Sequence, residues 1–103
     1  MIFRRERFAD LVRRQLDLFE EDEAELLQEA EQAERVYSAA ERDEAEEAYG
    51  DYQLVLEAVA DALVGLRDAY AGTLAEDAAA EYEQAFARSA RKRFPNLPAG
   101  LWS

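Results

Sequence analysis

No proline interrupts this 103-residue chain before Pro95, and the stretches ahead of it carry helical apolar periodicity throughout. What the chain can fold into is then set by where the helix stops and restarts. Two spots carry that signal: Ser38-Ala-Ala-Glu41 and Gly72-Thr73-Leu74-Ala75-Glu76. In each, a hydroxyl can accept from an orphan backbone N–H while a Glu three positions on reaches back to complete a capping box. Gly72 is placed to end the preceding helix in a left-handed cap, where the lack of a Cβ removes the steric penalty. The reading is helices over 4–36, 39–71 and 74–93, with Pro95 forcing Phe94 out of the last.

Each segment has one apolar side. In the first, Phe8, Val12, Phe19, Leu26, Ala30, Ala33 and Tyr37 form a stripe that Leu11, Leu16, Leu18 and Leu27 widen, with one gap at Glu23. In the second, the seam is Ala45, Ala48, Tyr52, Val55, Val59, Leu63, Leu66 and Tyr70; Gly50 and Gly65 fall off it. Each Gly costs about 1 kcal/mol relative to Ala in a helix interior, which points to close packing or a kink. In the third, Ala75, Ala78, Ala79, Tyr82, Ala85, Phe86 and Ala90 line up, and Arg88, Arg91, Lys92 and Arg93 crowd the carbonyl end.

The expected fold is all-α. An antiparallel hairpin of two long helices, joined at Tyr37–Ser38, takes a shorter third helix to make a three-helix up-down-up bundle, with coiled-coil-like seams. Residues 1–94 form this single bundle domain, and residues 95–103 form an extended, non-helical C-terminal tail. In that hairpin, residues whose numbers sum to roughly 74 lie level. A third helix of about 30 Å covers only the end holding the termini of the first two, leaving the Tyr37 end bare. The apolar residues there, Leu26, Ala30, Ala33, Tyr37, Ala45, Ala48 and Tyr52, need cover from a second copy, a foreign partner, or the tail with its Leu97, Leu101 and Trp102.

Composition removes most chemistry. The chain has no Cys and no His, so it has no thiolate nucleophile, no disulfide and no imidazole base or metal ligand. No catalytic, metal-binding or cofactor-binding residue set is recognisable, and the reading is a non-enzyme without cofactor. No run of about 18 apolar residues could span a membrane, and no apolar segment follows the basic N-terminus as a secretory signal requires, so a cytoplasmic location is expected. Eleven Arg against one Lys, with abundant Ala and Glu, suggests a bacterial genome of high GC content.

The formal net charge of −12 opposes nucleic-acid and anionic-membrane binding. It is unevenly spread: positions 15–85 hold 22 acids and three bases, while Arg4, Arg5, Arg7, Arg13 and Arg14 and the four cations of 88–93 flank them. By the hairpin register, Arg88–Arg93 lie beside Asp17–Asp22 and Asp51–Glu57, so intramolecular pairing is their expected role. The five tyrosines read as core residues with hydroxyls reaching the surface. Together these point to a small acidic helical protein of interaction or structural role, self-associating as a homodimer. A second reading is an acidic module for a basic partner protein, including a nucleic-acid mimic. A third is a carboxylate metal-binding bundle, although no EF-hand spacing is present and the di-iron bundle motif needs a His.

Overall fold

The structure, a computed structural model, describes residues 7–102 apart from the side chain of Ala99. The expected helix start at residue 4, Phe3, and the cations Arg4 and Arg5 lie outside the described residues. The described chain is all-helical: α1 (Ala9–Asp22), α2 (Ala24–Ala39), α3 (Ala45–Ala71), α4 (Glu76–Arg93) and a 3₁₀ turn (Ala99–Trp102). Four α-helices replace the expected three because the long first helix bends at Glu23, whose φ of −108° and ψ of 29° leave the helical region. The ladder continues across the bend, with Glu23 N–H donating to Phe19 O and Leu27 N–H to Glu23 O. Position 23 is where the apolar stripe carries a carboxylate instead of a hydrophobe. The bend falls where the chain changes partners, since α1 packs on α4 whereas α2 packs along α3.

Neither capping box forms, and none of the four helices has a side-chain hydrogen bond at its N-cap. Ser38 lies inside the last turn of α2, and the connection is Ala40–Glu44, closed by Glu44 N–H donating to Glu41 O. Extending α2 past Ser38 lets the Tyr37 ring meet Tyr49 and stack on Tyr52, at centroid separations of 5.2 and 6.2 Å. Those aromatic contacts outweigh one cap. The later turn also shifts the register: Tyr37 stands against residues a dozen or more positions on, not level with itself.

Gly72 ends α3 at the expected place but not in the expected geometry. Its φ of −64° is right-handed, and its lack of a Cβ instead keeps clear of Asp68 O, 3.3 Å from where a Cβ would stand. Thr73 turns its hydroxyl back to donate to Tyr70 O at 2.7 Å, so it closes α3 and does not open α4. The helix starts carry acids in place of caps: Asp10, Glu25, Glu46, Glu47, Glu76 and Asp77 occupy first turns, where they complement the macrodipole. Gly50 and Gly65 lie within the unbroken span of α3 and sit in open space, with nothing within 4 Å of an added Cβ.

One end of the molecule is thick and the other thin. Phe8 just before α1, Val12, Leu16 and Phe19 of α1, Leu56, Val59, Ala60 and Leu63 of α3, and Tyr82, Phe86 and Ala90 of α4 form the buried centre. Leu16 is wholly buried whereas Leu18, read as part of the same stripe, is 57% exposed. α3 runs 27 residues, about 40 Å, against 18 residues and about 27 Å for α4, so the α2–α3 hairpin projects beyond it. The extents of 54 × 24 × 22 Å record that projection. The tail is not simply extended. It folds back, buries Leu97 and Trp102 in the central cluster, and ends in the 3₁₀ turn.

Two expectations follow. Gly65→Ala should raise stability by about 1 kcal/mol, read as a higher Tm, because the new methyl meets nothing and the helix gains propensity. Tyr82, with no solvent exposure, donates its hydroxyl to Gln15 Oε1 at 2.9 Å, and burial pushes its pKa up to about 12. The unfolded phenol ionises near 10, so between about 10 and 12 the unfolded state loses the proton first and stability falls as pH rises. Tyr82→Phe should flatten that alkaline loss in thermal melts while lowering stability by about 1 kcal/mol at neutral pH, through the lost hydrogen bond.

Candidate interaction surfaces

The projecting hairpin is built from the small and aromatic residues of the apolar stripes. α2 contributes no buried side chain: Leu26, Leu27, Ala30 and Ala33 are half-buried against α3. Facing them, Ala45 is half-buried and Ala48 and Tyr52 are buried. At the tip Val36 is 51%, Tyr37 38% and Tyr49 48% exposed, although Tyr37 belongs to the apolar stripe of the first segment. Of the expected interface residues, the structure thus brings Leu26, Ala30, Ala33, Tyr37, Ala45, Ala48 and Tyr52 onto one hairpin. Val36 and Tyr49 join them and were missed as interface candidates. The later turn explains Tyr49, since at the expected register it would not have met Tyr37.

The tail covers the base of this hairpin and leaves the tip. Phe94 sets its ring edge-on to Phe19 at 5.8 Å, and Leu97 lies with Leu27, Tyr52, Leu56 and Val59 around a cavity of about 450 Å³. Asn96 Nδ2 comes within 3.5 Å of Glu34 Oε2. The Tyr52 phenol is held neutral above its ordinary range by burial and by the Glu34 carboxylate, against the opposing hydrogen bond from Asn96. Leu101 and Trp102 go elsewhere: Trp102 packs on Phe86 of α4, with centroids 5.7 Å apart. They are therefore part of the thick end and not of the hairpin surface.

Electrostatics divide the same way. Glu25, Glu29, Glu31, Glu34, Glu41, Asp43, Glu44, Glu46, Glu47 and Asp51 all stand exposed on the hairpin, with only Arg35 and Arg42 among them. Of the cations near the end of α4, Arg93 behaves as the sequence suggests. Its guanidinium reaches Asp17 at 2.8 Å and Glu20 at 3.4 Å, and donates to Arg13 O at 3.3 Å. Arg88 and Arg91 form no ion pair among the described residues; they line a groove with Arg67 of α3 and Trp102. The convergence of Arg67 with them was not readable before the α3–α4 crossing was known.

No group of three or more His, Cys, Asp or Glu able to hold a metal ion occurs among the described residues, and no described helix is long and apolar enough to cross a membrane. No protein-family model, curated protein or solved structure matches the chain.

The split among the α4 cations gives a stability test. Arg93→Gln should lower the Tm at low salt by the equivalent of about 1 kcal/mol, and by less at high salt, because its two ion pairs are partly exposed. Arg88→Gln and Arg91→Gln should leave the Tm within about 0.5 kcal/mol of the parent.

Proposed function

We propose that this chain is a small acidic protein-interaction or structural protein that pairs with a second copy of itself through the uncovered half of its α2–α3 hairpin. The observation that carries this reading is that α2 has an apolar stripe yet buries no side chain completely, while Val36, Tyr37 and Tyr49 stand open beyond the reach of α4 and the tail. Tyr37 and Tyr49, with ring centroids 5.2 Å apart, are an exposed aromatic pair of the kind that a stable interface uses at its centre, whereas Val36 lies beside Ala39, Glu44, Glu47 and Asp51. The small side chains Ala30, Ala33, Ala45 and Ala48 let α2 and α3 approach each other closely, and a two-fold pairing through the exposed residues satisfies both copies with one patch. The exposed acids beside the patch favour a second, weaker reading, capture of a basic partner protein, and the two respond to salt in opposite senses. Like-charged copies associate more tightly as salt rises, whereas an acid–base complex loosens. No catalytic step enters either reading.

Sedimentation velocity of the full chain across salt and protein concentration should show a dimer that tightens with salt. Replacing Val36 and Tyr37 by Glu should give a monomer with unchanged helical circular dichroism, weakening association about tenfold or more. A full chain that stays monomeric at all concentrations overturns the proposal. So does a chain that associates only when it ends at Phe94, because the tail would then be sufficient cover.

A further inference from the structure

The groove between α3 and α4 carries a second, independent proposal. In a chain of net charge −12, a surface arginine is expected to find a carboxylate, and Arg93 does. Like Arg14, Arg35 and Arg42, Arg88 and Arg91 form no ion pair among the described residues, but these two stand together, one helical turn apart on α4. They face a cavity of about 430 Å³ whose other walls include Arg67 of α3 and Trp102 of the folded-back tail. Arg67 is partly neutralised by Asp68 at 2.8 Å and Glu83 also lines the groove, so Arg88 and Arg91 together leave an excess of one positive charge there. Planar guanidinium forks match the paired oxygens of phosphates and carboxylates better than any other ligand group. Ala80, Ala87 and the indole supply apolar wall beside the cations. A long polyanion would meet the acids of the whole surface, but a small anion responds chiefly to charges within a Debye length of about 8 Å.

We propose that this groove binds a small organic oxyanion, its phosphate or carboxylate head on Arg88, Arg91 and Arg67 and its apolar body along Trp102. Trp102 is the only tryptophan in the chain, so the site contains its own reporter. The full chain is titrated with phenyl phosphate in one arm and benzoate in the other, at physiological ionic strength. Indole fluorescence and the amide NMR shifts of residues 80–91 are followed together. The expected result is a saturable change in at least one arm, with the responding arm naming the head group. Arg88→Gln/Arg91→Gln should weaken it about tenfold or more, and Arg88→Lys/Arg91→Lys, which keeps the charge but loses the fork, should weaken it less. Arg35→Gln, which removes an exposed cation on the distant α2, should leave it unchanged. No saturable shift in either arm overturns the proposal, as does binding by the Gln and Lys double variants that equals the parent's.

Discussion

The thick end of this molecule is organised around one ring. Tyr82, on the short helix α4, is wholly buried and meets Phe8 edge-on at 5.6 Å, Tyr70 at 4.8 Å and Phe86 at 6.0 Å. Phe8 precedes α1, Tyr70 closes α3, and Gln15 of α1 accepts the hydroxyl proton. A single side chain thus touches both helices that α4 must bring together. Phe86, one turn on, extends the contact to Trp102 of the tail. Aromatic pairs of this geometry add about 0.5–1.5 kcal/mol each beyond the area they bury, and burying the polar hydroxyl is tolerable only because it is bonded. Everything outside the reach of that cluster, the far half of the hairpin above all, lacks a comparable anchor.

That asymmetry follows from helix length more than from hydrophobicity. α3 is apolar along its whole seam, but α4 is too short to follow it, and the tail turns back after Leu97 to return Trp102 to α4. The hairpin beyond is held by α2 and α3 alone, through alanines that bury little area and the contact of Tyr37 with Tyr49 at the tip. Two helices cannot surround a core, so one side of each stripe meets solvent. A second copy brought to the same face, as proposed, would turn two helices into four and give each stripe a partner.

Helix content, the end of α3, the end of α4 before Pro95 and the short reach of the last helix were legible in the sequence, because period, glycine and proline act locally. The bend at Glu23 and the position of the first turn were not. Both depend on tertiary pairing: α1 and α2 serve different partners, and Tyr37 gains more from Tyr49 and Tyr52 than Ser38 gains from a cap. The interruption at Glu23 was visible as a gap in the stripe, but a gap states that packing changes without stating that the axis turns. The hairpin residues were readable as a group since they share a stripe. Val36 and Tyr49 needed the true register, and Arg67 needed the crossing of α3 over α4.

Charge then distinguishes the two ends in a way that helix packing alone does not. At the thick end an arginine, Arg93, lies between two carboxylates of α1 and ties the end of α4 to that helix. At the thin end ten exposed carboxylates face only Arg35 and Arg42, so the tip repels any like surface that approaches it at low ionic strength. Repulsion of this kind falls steeply with salt, while apolar burial between the same surfaces does not. In the proposed pairing, exposed tyrosine surrounded by acids would therefore have its affinity set by the ionic strength around it: apolar contact would favour association, and the acids would decide under which conditions it prevails.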